Sequence, residues 1–246
     1  MSRELFEQKI IDDWVKYFDS SIKEFETSGS KIIARIKYAK NLVIIAHAGQ
    51  KTFIQYNPDV EGKVKELTKH SPSGMTLTAD HFISYFENEN IQINNIDELF
   101  YLYPPDLNTF TPDECFTIKK LVAEDEHYLN ELNNSCSEEE VDNSFVEIDE
   151  LGVWGCYFDN KLVAAAGFSD WGLYGDLGVI THPEFRRRGL GKAVVSAACK
   201  EIFEIGRIPV YRCHITLFQS INTAKSIGFR MYPKAYFKME VLKYSE

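Results

Sequence analysis

Between Thr181 and Lys192 the sequence reads Thr-His-Pro-Glu-Phe-Arg-Arg-Arg-Gly-Leu-Gly-Lys, three arginines and a lysine set around two glycines. These residue types suit an anion, because glycine lets a phosphate oxygen approach the backbone and Arg and Lys neutralise its charge. The run lies between a strand-like apolar stretch, residues 175–181, and a helix-patterned one, residues 189–205. A helix start leaves its first backbone N–H groups unpaired and carries a partial positive charge, so a phosphate or pyrophosphate cradle is the chemistry this context proposes. Two phosphate motifs fail on spacing. A P-loop needs G-x-x-x-x-G-K-[ST], but Arg186 stands five before Gly191 and Ala193 follows Lys192. A dinucleotide fingerprint needs G-x-G-x-x-G, and after Gly189 and Gly191 the third position is Val194. What remains is R-x-x-G-x-G, Arg186 to Gly191.

Other residues able to do proton chemistry are scattered. Glu147, Asp149 and Glu150 precede one strand-like run and Asp170 follows another; each also reads as a solvated acid. Histidine is the residue type whose ordinary pKa lies nearest neutral, which brings in His182 and His214, yet both suit structural roles. Ser220 stands early in a helical run, where serine commonly caps, and Trp154, Trp171, Tyr157 and Tyr174 suit either a pocket wall or the core. Charge is uneven. Residues 113–150 carry thirteen acids against two lysines, whereas 151–246 carry eight acids against thirteen Lys and Arg. One stretch suits a cation and the other an anion, although both also read as solvated faces.

The elements that must position these residues follow from periodicity. Leu5, Phe6, Ile10, Trp14, Phe18, Ile22 and Phe25 recur at helical spacing and predict a single amphipathic helix. Residues 42–45, 52–56 and 98–103 read as strands, with helices over 59–70 and, capped by Thr78, 78–89. Pro104, Pro105 and Pro112 break regular structure, which places a domain boundary there: a small α/β domain over 1–112 and a second over 113–246. The second begins with a strand over 115–122, a helix over 124–133 and a helix opened by the capping box of Ser137 and Glu140. Strands over 152–158 and 161–168 are joined by Asp159-Asn160, a hairpin pair, and a strand over 175–181 follows. The helix over 189–205, a strand over 209–215, a helix ending at Gly228-Phe229 and a strand over 235–242 complete it. The order predicts an α/β fold, a mixed twisted sheet with helices on both faces, preceded by the smaller α/β domain.

Composition narrows the function. The 246 residues are 44% apolar and 26% charged, ordinary for a globular protein. The net charge of −10 repels a phosphate backbone, which argues against nucleic acid as a partner. The longest apolar stretch, residues 162–168, is far short of the roughly 20 residues that span a bilayer, so no membrane partner is expected. Acids at Glu4 and Glu7 do not suit a secretory signal, and a cytoplasmic protein is expected. Cys115, Cys136, Cys156, Cys199 and Cys213 form no C-x-x-C pair, so free thiols are expected and no metal site.

Over residues 113–246 the sequence resembles the GNAT superfamily of N-acetyltransferases. The features that carry the resemblance are the 176–181 strand running into His182-Pro183-Glu184-Phe185, the R-x-x-G-x-G turn, the long helix after it and the Ala224-Lys225-Ser226-Ile227-Gly228-Phe229 ending. The resemblance implies acetyl-coenzyme A as co-substrate and a primary amine as acceptor. Arg186, Arg187, Arg188, Gly189, Leu190, Gly191 and Lys192 would hold the pyrophosphate, and Val179, Ile180 and Thr181 would pair with the pantetheine amides like an added strand. Relatives often place a tyrosine acid where this chain has Ala224, and an asparagine where it has Leu217; Ser220 is the polar residue left for a proton relay or cofactor contact. Glu150, with Glu147 and Asp149, falls in the region that borders the acceptor site in relatives and is the candidate base. The acidic stretch hints at a polycationic small molecule as acceptor, such as a polyamine or an amino-sugar antibiotic, and a protein N-terminus or a lysine is also open. The residues before 113 lack the R-x-x-G-x-G turn and look like a degenerate acetyltransferase-like lobe that walls the acceptor site or makes a homodimer contact. Ala224 leaves open a non-catalytic acyl-coenzyme A sensor, and an interaction domain without cofactor is a third reading.

Overall fold

The computed structural model describes residues 1–34, 41–70, 75–86, 91–232 and 237–244. The chain forms two compact units: Met1–Leu99 with Cys213–Thr216 and Met231–Glu246, and Phe100–Arg212 with Leu217–Arg230.

The first unit opens with α1 (Arg3–Tyr17) and α2 (Ile22–Phe25) in place of the single helix expected. Asp19 is left-handed (φ 44°), and Ser21 with Glu24 forms a capping box that starts a new helix, so the apolar spacing continues across a broken backbone. Strands β1 (Gly29–Ala34), β2 (Asn41–Ala48) and β3 (Lys51–Tyr56) follow, then α3 (Glu61–His70), α4 (Ala79–Tyr85) and β4 (Ile91–Tyr101). Residues 87–89, the end of the expected 78–89 helix, lie outside the described residues. The strand order here is β1-β3-β2-β10-β4, where β10 is Phe237–Tyr244; β1 and β3 run parallel and the other pairs antiparallel. One core joins Val43, Ile45 and Ile54 to Val64 of α3 and Phe82 of α4. Another stacks Phe18 on Phe53 at 4.1 Å and Trp14 on Phe18 at 5.7 Å.

Two features depart from the sequence reading. The closing strand was expected in the second domain, but β10 pairs with β2 and β4; its residues 235–236 lie outside the described ones. Residues 100–112 belong with the second unit, since Asn108 donates its backbone N–H to the Ile227 carbonyl (2.8 Å) and Asp106 pairs with Arg230 (3.2 Å). Proline forbids regular structure there without forbidding packing.

The second unit contains β5 (Phe116–Lys120), α5 (Glu126–Asn134), α6 (Glu138–Ser144), β6 (Gly152–Phe158), β7 (Lys161–Trp171), β8 (Tyr174–Thr181), α7 (Leu190–Glu204), β9 (Ile208–His214) and α8 (Phe218–Ile227). Its strands are ordered β9-β8-β7-β6-β5, with β8 and β9 parallel and the rest antiparallel, the mixed sheet expected. Asp159 (φ 46°) and Asn160 (φ 62°) make the hairpin turn, and Ser137 with Glu140 forms the capping box of α6. Helices lie on both faces. Ile202 of α7 meets Gly175, while Leu129 and Leu132 of α5 cluster with Ala165 and Ile180. Leu190, Val194, Val195, Ala198 and Ile202 are buried along α7, each large one worth roughly 2 kcal/mol of transfer free energy. Cys156, Cys199 and Cys213 are buried, and all five cysteines are free.

Gly228 ends α8 at φ 111°, and a Cβ there would fall 1.9 Å from the Asp106 carbonyl oxygen. Gly228→Ala should therefore cost about 1–3 kcal/mol in denaturant unfolding. Gly62→Ala in α3, where a Cβ meets nothing within 4 Å, should gain roughly 0.5–1 kcal/mol.

Candidate active site

The basic turn is built by its neighbours. His182 accepts from the Glu184 N–H (3.3 Å) and Pro183 opens a 3-10 turn, after which Arg187 (φ 63°) and Gly189 (φ 78°) are both left-handed. Gly189 is the N-cap of α7 and offers no side chain, and the first helical bond runs from the Ala193 N–H to the Gly189 carbonyl (3.0 Å). The N–H groups of Leu190, Gly191 and Lys192 thus precede the helical ladder at the positive end of the helix. A Cβ on Gly191 would lie 3.2 Å from Thr181 Oγ1 and 3.6 Å from Val179 Cγ2, so α7 begins against the end of β8. The expected cofactor residues Val179, Thr181, Gly189, Leu190, Gly191 and Lys192 therefore come together.

The side chains divide the labour. Arg186 bonds Glu140 (2.8 Å) and the Thr181 carbonyl (3.2 Å), which holds its charge against the protein and makes it a brace of the turn. Arg188 lies over Phe185 (5.3 Å), Lys192 over Phe110 (5.0 Å), and Arg187 is exposed. Ile180 points the other way, into the cluster with Leu129 and Leu132, so only its backbone belongs to the strand end.

Next to this turn the sheet parts. β8 pairs with β9 from Tyr174↔Ile208 to Leu177↔Tyr211, while its ladder with β7 continues to Ala164↔Thr181. Among the described pairings Gly178–Thr181 have β7 alone, which leaves one strand edge for an extended ligand.

On the face that carries α5 and α6, Gly167 and Gly178 are cross-strand partners. A Cβ on Gly178 would lie 1.9 Å from the Ser144 carbonyl oxygen, and one on Gly167 would lie 2.3 Å from Glu150 Oε2. Two absent side chains thus admit the end of α6 and the Glu150 carboxylate. Oε2 of Glu150 is buried without a hydrogen-bond partner among the described residues. Burial first, then Glu147, Asp176 and Asp149, push its pKa up from 4.5 to about 8. Asp176 on β8 pairs with Arg212 on β9 (3.1 Å), and the Arg212 guanidinium lies 5.6 Å from the Phe145 ring centroid.

The remaining candidates separate. Ser220 hydrogen-bonds the Tyr211 hydroxyl (3.0 Å), and Ala224 is buried in α8. Asp170 bonds Arg207 (2.8 Å) and the Gly172 N–H (2.9 Å), fixing the β7–β8 turn. His182, its second nitrogen 2.8 Å from Lys161 Nζ, is held below its usual pKa by burial and then by that lysine. His214 bonds Thr216 (2.7 Å). Trp154 donates to Glu201 (2.7 Å) beside a cavity of about 520 Å³ on the α7 face, away from Glu150. Trp171 packs on Tyr174 (5.6 Å), and the Tyr157 hydroxyl reaches Asp125 (3.5 Å).

Asp176, Arg212, Phe145 and Tyr211 were not singled out in the sequence. Glycines inside apolar strand runs, Gly167 and Gly178, were the signal that something approaches closely there; Phe145 and Arg212 carry none.

Residues 117–229 match the acetyltransferase (GNAT) family. Among solved structures, the chain is similar to a functionally unknown conserved protein from Staphylococcus epidermidis (13% identity, 76% of this chain and 79% of that one, TM-score 0.52). It is also similar to an acetyltransferase from the GNAT family of Colwellia psychrerythraea (13%, 78% and 76%, TM-score 0.50). A further similarity is to a GCN5-related N-acetyltransferase from Kribbella flavida (19%, 66% and 62%, TM-score 0.47). No curated protein matches. No helix among the described residues is long and apolar enough to cross a membrane.

Because the folded pKa of Glu150 lies above its ordinary value, the native state holds a proton that the unfolded chain releases between about pH 4.5 and about 8. Its contribution to stability is fully present below that window and is lost as pH rises through it. Glu150→Gln, which stays neutral, should match wild type near pH 4.5 and unfold at higher denaturant than wild type above pH 8; equal midpoints at both pH values would contradict the buried carboxylate.

Proposed function

We propose that the chain, whose residues 117–229 match the acetyltransferase (GNAT) family, moves an acetyl group from acetyl-coenzyme A to a primary amine of a cationic small molecule. The observation that carries this reading is the conjunction of three features around the parting of β8 and β9: an uncapped helix start on one face of the sheet, the strand edge that the parting frees, and on the other face a buried carboxylate lying over the neighbouring strand β7. The donor set fits the cofactor. Backbone N–H groups at Leu190, Gly191 and Lys192, with Arg187 and Arg188 beside them, suit a pyrophosphate, and the Val179–Thr181 edge suits an amide-bearing arm. When bound, acetyl-coenzyme A supplies the activated acetyl thioester.

The chain's own residues handle the protons. An alkylammonium of pKa about 10.4 must lose a proton before it attacks, and a base with pKa about 8 accepts it against a far smaller gradient than an ordinary carboxylate. Glu150 takes that role. Tyr211 and Ser220, bonded hydroxyl to hydroxyl at the last β8–β9 pair, hold the protons available to a leaving thiolate, where Ala224 offers none. A second reading, an acyl-coenzyme A sensor, is favoured by that same Ala224 and predicts binding without turnover.

Calorimetry with acetyl-coenzyme A, paired with thiol release in the presence of an amine, tests the assignment. Gly189→Glu, folded by circular dichroism, should bind acetyl-coenzyme A roughly a hundredfold more weakly, because a carboxylate then faces the helix start. Unchanged affinity would sink the pyrophosphate site. Glu150→Gln should keep acetyl-coenzyme A affinity and lower kcat about 10²- to 10³-fold at pH 8.

A further inference from the structure

Phe145 caps the C-terminus of α6 in the left-handed conformation (φ 49°, ψ 40°), where helices ordinarily use glycine or asparagine. For a bulky residue this is a genuine outlier. Burial does not explain it, because the side chain is 61% exposed. Backbone strain kept at an exposed aromatic points to a use for the ring.

The surroundings say what use. One neighbour of the ring is the Arg212 guanidinium, 5.6 Å from the centroid, whose charge is answered by Asp176 at 3.1 Å. Arg212 thus braces the ring as part of a neutral pair. The Phe145 carbonyl oxygen lies 2.9 Å from where a Gly178 Cβ would be, and Glu150 Oε2 lies 2.3 Å from where a Gly167 Cβ would be. Since Gly167 and Gly178 are cross-strand partners, with Cα atoms about 5 Å apart, the Phe145 carbonyl oxygen and the Glu150 carboxylate stand over adjacent strands within roughly 10 Å, and the exposed ring is carried from that backbone position. Glu147 and Asp149, both exposed, lie close enough to Glu150 to raise its pKa and add negative charge beside it. An aromatic face beside surplus carboxylates attracts an organic cation.

We infer that the exposed ring of Phe145 is an acceptor subsite that receives a second ammonium group while Glu150 meets the reacting amine, so that the acceptor class is diamines and polyamines. This rests on the amine-acetyltransfer reading above and narrows it.

The test compares 1,5-diaminopentane with pentylamine, which has the same carbon chain and one charge fewer. By calorimetry wild type should bind the diamine about tenfold more tightly than the monoamine. Phe145→Gly should lose that preference while raising the thermal midpoint, since glycine relieves the left-handed strain; weaker binding by a more stable protein separates recognition from folding. Phe145→Leu should also lose it, and Phe145→Trp should keep it. Acetyl-coenzyme A affinity should be equal in all four proteins. Equal affinity for the two amines in wild type, absence of amine binding, or diamine binding untouched in Phe145→Gly would each overturn the subsite. Thiol release is read separately. Release with pentylamine and with Phe145→Gly at wild-type rates would leave acetyl transfer standing and remove the subsite, whereas Phe145-dependent diamine binding without any release would do the reverse.

Discussion

At Gly178 two backbones lie closer than any side chain would permit, with the Ser144 carbonyl oxygen 1.9 Å from where a Cβ would stand. That approach governs the face of the sheet where chemistry is proposed. It brings α6 to an end directly over β8, and its neighbour Gly167 leaves a matching gap on β7 for Glu150. A carboxylate inserted there is partly stripped of water and surrounded by Glu147, Asp176 and Asp149, which accounts for its raised pKa. A methyl group at either glycine would move α6 or expel the acid. The raised pKa of Glu150 is therefore a consequence of two residues that carry no functional group.

The other face obeys the opposite sign of charge. There α7 starts without a side-chain cap, its positive end against Val179 and Thr181, with arginines around it. Acids on one side and bases on the other are the same segregation that separates residues 113–150 from 151–246 in the sequence. The strand pair β8 and β9 parts between these two faces, after Leu177 and Tyr211. An anionic ligand lying along the strand edge and a cationic one approaching from the α6 side would meet at the opening, each drawn by a field the other would not tolerate.

Local features of this arrangement were legible in the sequence. The basic turn, the Asp159-Asn160 hairpin and the Ser137 capping box are each set by residues within a few positions of one another, so spacing alone carries them. Non-local features were not. An alternating strand such as β10 does not encode which sheet it joins, and it went to the first unit. The apolar spacing of the opening segment ran unbroken over a backbone that reverses at Asp19, because a left-handed residue changes direction without changing hydrophobicity. Residue type did not separate Glu150 from Glu147, Asp149 and Asp170, and the resemblance alone made it the candidate base; packing against Gly167 gives it a physical distinction, and the bond to Arg207 excuses Asp170. Phe145 gave no sign at all, since left-handed caps are written in glycine and asparagine.

The chemistry of that ring answers a conflict inside the site. A base must be strong enough to take a proton from an ammonium, yet a carboxylate of pKa about 8 is already mostly protonated at neutral pH, and any further rise leaves still less of it able to act. Adding another acid to attract a cationic acceptor would strengthen the field that already raises Glu150 and push it further toward the protonated form. An aromatic face attracts a cation through its quadrupole and carries no net charge, so it adds affinity while adding almost nothing to that field. The Asp176–Arg212 pair beneath it serves the same end, since Arg212 offsets the one β8 carboxylate that would otherwise bear on Glu150 in full. Recognition and basicity can then be set independently, which a site built of carboxylates alone could not achieve.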